Sequence, residues 1–282
     1  MKLTKRVLVV GGDGGVGGAT VGKLLAEGFS VIASVLNEAG MRAVIAANPR
    51  IERTFILDLA DADAIAQTLA SELGDQPLDA VVCCAGISLY GPIETTPLQT
   101  FRKLLEINSV ANAALFQATV RQIHQSQGRY IFLSSIIGRV SFPFVGFYSA
   151  SKHALEALAD AMRREVYNFG VRVSLIEPGG IQTSMVESQI ASLREDRASL
   201  AGVNAEYYSH LFETHEKTAN AINTDGIAPM KVAEVVLEAL TAAEPRARYV
   251  VGDDAVYIDG LIRAGSEETL DQLAGITTST PQ

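Results

Sequence analysis

The sequence predicts a doubly wound α/β fold, with about seven parallel strands and helices on both faces, in one domain over residues 1–276. Three observations predict it. Short apolar runs alternate with helical patterns along nearly the whole chain. The first run ends at a glycine-rich turn that opens a helix. The chain has 282 residues, 48% of them hydrophobic, which suffices for one large core.

The elements follow in order. Arg6–Val10, Ser30–Val35, Thr54–Leu57, Ala80–Cys84, Tyr130–Leu133 and Arg172–Ile176 read as buried strands, and Tyr249–Val251 as a shorter seventh. Helical patterns lie between them at Val16–Glu27, Asp61–Leu73, Leu98–Gln125 and Ala150–Phe169. The stretch 184–229 breaks the alternation: it is polar, weakly helical and long. It falls where a strand should hand over to the next helix, so it is expected to be a lid over the carboxyl end of the sheet. Residues 277–282 (TTSTPQ follows Ile276) are expected to form a flexible tail.

Composition excludes several classes. The formal net charge is -9 and no run of Lys or Arg is visible, so nucleic acid is not an expected partner. No apolar run approaches the ~18 residues of a membrane span. The start, MKLTKRVLVVGG, lacks the apolar region of a signal peptide. A cytoplasmic protein is expected. Cys83 and Cys84 are adjacent, and strand neighbours point to opposite faces, so they read as buried reduced thiols. No His/Cys/Asp group has metal-ligand spacing, and His210 and His215 read as solvated.

The glycine turn carries the first chemistry. Gly11, Gly15 and Gly17 are spaced G-x-x-x-G-x-G, with Asp13 and Val16 between them. Glycine is needed there for a tight turn, for backbone approach to a pyrophosphate and for helix packing. The helix N-terminus then faces phosphate. This is the Rossmann arrangement for a dinucleotide. Val35 stands at the end of the second strand, where an acid often binds the ribose of NAD, and no Arg or Lys replaces it. Asp13 would repel a ribose 2′-phosphate, so NAD is preferred to NADP. Asp58 ends the third strand and reads equally as an acceptor for an adenine amino group or as a helix N-cap.

A second set lies further on. Tyr148 and Lys152 are four apart in a helical segment and so share a face. Ser134 and Ser135 end the strand before them, and "IEPGGIQT" follows the next strand. An ammonium near a phenol favours the phenolate. A phenol of ordinary pKa, about 10, is a poor base at neutral pH. Together with the glycine loop, this set resembles the short-chain dehydrogenase/reductase family from Val7 to about Gly252. Within it, the chain is most similar to the retinol, hydroxysteroid and 3-hydroxybutyrate dehydrogenases.

The resemblance implies roles at matching positions. Tyr148 would be the catalytic acid/base, and Lys152 would lower its pKa and hold the nicotinamide ribose. Ser135 would orient the substrate oxygen, and Asn108 would bend its helix and support a proton-relay water. Pro178, Gly179 and Thr183 would contact the nicotinamide. Leu59, Ala85, Gly86 and Ile181 would complete the nucleotide contacts. Two stretches depart from the pattern: Val10 stands for a threonine, and Cys83-Cys84 stand for Asn-Asn before Ala85-Gly86. Apolar partners replace polar ones at both, an exchange that can be nearly neutral.

The candidate substrate wall is apolar or aromatic: Tyr90, Pro92, Ile136, Phe142, Phe144, Phe147 and Met185. It suggests a lipophilic secondary alcohol or ketone of steroid, retinoid or hydroxyacid type. Arg194 and Arg197 of the lid stay open as sources of a cation. The resemblance also implies a homodimer or homotetramer. A non-catalytic dinucleotide sensor on the same fold is the alternative, because fold does not fix function.

Overall fold

A computed structural model of the chain describes residues 5–199, 202–265 and 267–273. Its centre is one sheet of seven parallel strands in the order β3-β2-β1-β4-β5-β6-β7. The strands are β1 (Arg6–Val10), β2 (Ser30–Val35), β3 (Arg53–Ile56), β4 (Ala80–Cys83), β5 (Arg129–Leu133), β6 (Arg172–Pro178) and β7 (Arg248–Val251). Every strand expected from the apolar runs is present, with ends shifted by two residues at most. The central strands are buried on both faces, so their sequences are apolar runs rather than alternations. The strand order reverses between β1 and β4, and ligands of such sheets bind in the crevice there.

Helices cover both faces. α1 (Gly15–Ala26) and α9 (Pro229–Thr241) pack on one, with Leu24, Val232 and Val236 meeting Val7, Val9 and Ile131 of the sheet. α3 (Ala62–Leu73), α5 (Ala111–Ser126) and α6 (Gly146–Val166) cover the other, where Ile65, Leu115 and Leu155 meet Leu8, Val81 and Phe132. α2 (Glu38–Ala47) links β2 to β3, and its N-cap Asn37 accepts from Gly40 N at 3.0 Å.

The expected helix 98–125 is not continuous. α4 (Leu98–Leu105) passes through one π-helical turn, Glu106–Val110, before α5 begins. Such turns bend a helix and often mark functional positions, and Asn108 lies in the middle of this one. Segment 184–229 folds as α7 (Ser184–Ser199) and α8 (Val203–Asp225). The two helices share a small core of their own, in which Val186, Ile190, Leu193, Phe212 and Ala219 gather around Phe144. α10 (Asp253–Ala264) and α11 (Glu267–Leu273) end the described chain, and the expected tail lies outside the described residues. No described helix is long and apolar enough to cross a membrane.

Candidate active site

A cleft of about 1360 Å³ runs along the carboxyl ends of the strands. Gly11, Asp13, Gly15, Val16, Gly17, Val35, Asp58, Leu59, Ala85 and Gly86 line one stretch of it. Ser135, Ile136, Phe142, Tyr148, Lys152, Pro178, Gly179, Ile181, Thr183, Met185 and Tyr90 line the rest.

The glycine turn is held close to its neighbours by its sterics. Gly11 has φ +81, and a Cβ on it would stand 2.8 Å from the Ala85 Cβ across the switch point. A Cβ on Gly17 would fall 1.9 Å from the Gly11 carbonyl oxygen, so α1 packs on its own entry loop only without one. The N-cap Gly14 provides no side chain to the first turn of α1. The unpaired N–H groups there suit phosphate oxygens. Asp13 folds back to the end of β2, where its Oδ2 accepts from Leu36 N at 3.1 Å. The acid that Val35 does not supply thus arrives from the loop. Asp58 is not the helix cap: Asp61 caps α3, while Asp58 Oδ1 accepts from Ala60 N at 2.8 Å. The Cys84 thiol lies 3.8 Å from Thr20 Oγ1, and Cys84 N still donates to Val10 O at 2.9 Å, so the ladder survives the loss of the family's polar pair. Burial pushes the Cys83 thiol up to about 12, which leaves it inert.

The second set converges as its spacing requires. α6 carries Tyr148 and Lys152 on one face, with the Lys152 Nζ 5.9 Å from the tyrosine ring centroid. That nitrogen donates to Leu133 O of β5 at 2.9 Å. Burial lowers the Lys152 pKa to about 8, against smaller opposing effects of Cys83 and Glu156. The phenol moves the other way from the sequence expectation: burial raises Tyr148 well above an ordinary phenol. Neighbouring Tyr90 adds to that rise, and a hydrogen bond with Ser135 opposes it. Ser135 also donates to Pro178 O at 3.4 Å. Ser134 also lines the cleft, and its buried Oγ lies within 2.9 Å of where a Cβ on Gly138 would stand.

Asn108 is fully buried and makes three bonds. Its Oδ1 accepts from Ile87 N at 2.9 Å, and its Nδ2 donates to Ile87 O at 2.9 Å and to Ser151 Oγ at 3.0 Å. Ser151 Oγ donates in turn to Tyr148 O at 2.7 Å.

Four further expectations need correction. Phe147 does not line the cleft: it stacks on Phe101 of α4, with centroids 4.6 Å apart. Pro92 is also outside the lining. His215 is not solvated, because it stacks on Phe144 at 5.1 Å and meets the Tyr90 ring edge-on at 5.4 Å. Arg194 and Arg197 are bound to Glu216 and Glu213, so neither is a cation waiting in the cleft. Sequence reasoning also missed Gln189, buried on α7 at the cleft wall. It missed an ion network behind the site as well, in which Arg139 and Arg248 hold the buried Glu177 and Arg248 also holds Glu156.

Known proteins share this architecture. The chain is 31% identical over 276 residues to an NADPH-dependent 3-dehydrocapnine reductase of Ornithobacterium rhinotracheale, covering 94% of each chain. It is 29% identical over 259 residues to the rat (Rattus norvegicus) 17-beta-hydroxysteroid dehydrogenase type 6, covering 89% of this chain and 81% of that one. A short-chain dehydrogenase structure from Streptomyces avermitilis superposes with a TM-score of 0.76 at 25% identity, over 99% of both chains. The family model for short chain dehydrogenases matches residues 5–194. With cleft, sheet and sequence in agreement, the chain belongs to the short-chain dehydrogenase/reductase family and is an oxidoreductase acting on CH–OH groups.

Proposed function

We propose that the protein interconverts a secondary alcohol and a ketone on a lipophilic small molecule, with NAD as the preferred dinucleotide and Tyr148 as the acid/base. The observation that carries this reading is the meeting of Ser135 and the Tyr148 hydroxyl in the cleft that begins at the glycine cradle. When bound, the nicotinamide supplies the hydride acceptor or donor. The residues of the chain do the rest. Ser135 donates a hydrogen bond to the substrate oxygen and holds it at the phenol. Tyr148 takes the carbinol proton in oxidation and returns it in reduction. Its raised pKa keeps the phenol protonated in the free protein, the form that reduction needs. Oxidation needs the phenolate, which a positive charge entering the cleft would favour.

Lys152 keeps a proton below about pH 8 and places its charge beside the phenol and the ribose position. Asn108 holds Ile87 and Ser151, and through them the backbone next to Tyr148. Asp13 supports NAD: its carboxylate, fixed at the end of β2, suits ribose hydroxyls and repels a 2′-phosphate. The 3-dehydrocapnine reductase is NADPH-dependent by name, so the two are expected to differ here. A cytoplasmic homodimer or homotetramer, with α7 and α8 as a lid, completes the proposal.

The test is absorbance at the reduced-nicotinamide band, with NAD and NADP offered separately against lipophilic secondary alcohols. Tyr148→Phe is expected to lower kcat by roughly 100- to 10,000-fold with NAD binding kept. Turnover in that variant within a few-fold of the parent would overturn the role of Tyr148. Tight NAD binding with no turnover of any alcohol or ketone would favour the sensor.

A further inference from the structure

The largely apolar wall of the cleft beyond Tyr148 carries uncharged polar groups from three separate elements. Ser88 and Tyr90 come from the loop after β4, Gln189 from α7 and His215 from α8. Ser88 and Gln189 are each only 7% exposed; both side chains approach the Tyr90 hydroxyl, and no well-formed hydrogen bond satisfies the buried Ser88 Oγ. Among the described residues, His215 makes ring contacts with Phe144 and Tyr90 but no hydrogen bond through either ring nitrogen. Buried polar groups without partners are uncommon, and each asks for a reason.

The His215 ring is held firmly. Phe144, on which it stacks, has a left-handed φ of 69, a strained setting for a bulky side chain. The same phenylalanine meets Phe212 of α8 edge-on at 4.7 Å. Burial lowers the His215 pKa to about 4, so at neutral pH the ring offers one donor and one acceptor and no charge. A side chamber of about 220 Å³ shares Ser88, Tyr90 and Gln189 with this wall, and its polar lining, completed by Ser188 and Ser192, is uncharged throughout. Among the described residues, no Lys or Arg of α7 or α8 lines the cleft or this chamber.

We infer that the substrate carries a second, uncharged hydrogen-bonding group, a hydroxyl, carbonyl or amide remote from the reacting carbon, and that His215 and Gln189 bind it. This rests on the proposed reading of the same cleft and narrows its substrate class. The Tyr90 ring sets the span, since it lies 6.1 Å from the Tyr148 ring and 5.4 Å from that of His215. The lysines of the cleft, Lys103, Lys152 and Lys231, stand on α4, α6 and α9, so a carboxylate or sulfonate finds no cation on α7 or α8, and a plain hydrocarbon would leave the His215 ring nitrogens unpaired. His215 is a specificity residue here and has no part in proton transfer.

The test is binding, so it does not depend on turnover. Dissociation constants for the protein with NADH are measured for three matched pairs of ketones of increasing length. These are cyclohexanone, 2-decalone and an androstan-17-one, each with and without a hydroxyl at the end remote from the carbonyl. In at least one pair the hydroxylated member is expected to bind about fivefold tighter or better. His215→Phe keeps the ring stack and removes both nitrogens, and it is expected to abolish that advantage by weakening the hydroxylated member alone. Gln189→Leu is the second variant, expected to reduce the advantage in the same way if His215→Phe does not fold. No advantage in any pair, including no binding of either member, overturns the inference. So does an advantage that survives both substitutions. Discrimination without turnover would leave the inference standing and remove the proposed reaction. Turnover without discrimination would do the reverse.

Discussion

Replacing Asn108 with alanine isolates one joint of the site. The amide is fully buried and makes three hydrogen bonds: two to the Ile87 peptide groups and one to Ser151 Oγ. Each such bond is worth about 1 kcal/mol net, and an orphaned buried partner raises that figure. The total loss is therefore about 3 kcal/mol, which in a chain of this size lowers Tm by on the order of 8 °C. Ser151→Ala breaks the single bond between Ser151 and the amide, together with the bond from Ser151 Oγ to Tyr148 O, so it is expected to cost about 2 kcal/mol. Urea unfolding monitored by circular dichroism, checked for coincidence with near-ultraviolet signals, measures both. A loss below about 1 kcal/mol for Asn108→Ala would refute the joint. So would a loss no larger than that of Ser151→Ala.

Other outcomes follow from the same structure. Gly17→Ala places a Cβ 1.9 Å from the Gly11 carbonyl oxygen, so it is expected to abolish NAD binding by calorimetry while the sheet still forms. Burial holds the Lys152 pKa at about 8 in the folded protein against an ordinary lysine value of 10.5, so the unfolded chain binds more protons between those limits. Stability attributable to this residue therefore rises with pH through that window, and below pH 8 the buried ammonium costs about 3 kcal/mol. Lys152→Met is expected to flatten the rise and to be the more stable protein at pH 7, measured by Tm across pH 7–10.5; a parallel profile in both proteins would count against it. Arg248→Met leaves Glu177 and Glu156 without a shared guanidinium, and is expected to cost about 3–5 kcal/mol by denaturant unfolding. Cys83 is expected to resist iodoacetamide at pH 8 in the folded protein and to react once the chain is unfolded, as read by mass spectrometry.

Much of the framework was legible because its signals are local. A strand covered on both faces must be an unbroken apolar run, and Arg6–Val10 and Ala80–Cys83 are. The glycine turn and the four-residue spacing of Tyr148 and Lys152 are likewise written in one short stretch each. α2 escaped notice because it is short, ten residues, and commits only Val44 fully to the core. Phe147 sits next to Tyr148 in sequence, yet successive residues on a helix point about 100° apart, and its ring turns to Phe101 instead of the cleft. His215 lies in a polar stretch, and nothing there shows that Phe144, 71 positions earlier, will cover it. The ion network is hidden for the same reason, since Arg248 reaches back to Glu156 and Glu177 across the fold.

The two bonds between the Asn108 amide and the Ile87 peptide are the pair that a neighbouring strand would make. A side chain thus impersonates a length of backbone, and β4 is continued past its last residue by a partner that belongs to a helix. The segment Ala85–Ile87, which borders the cleft, is thereby held in register by the π-helical turn and, through Ser151, by the helix bearing Tyr148 and Lys152. Sliding that helix along its axis would unzip the surrogate rung. The cleft floor at Ala85–Ile87 and the helix that carries Tyr148 and Lys152 are consequently expected to move as one piece, so that loosening either loosens both.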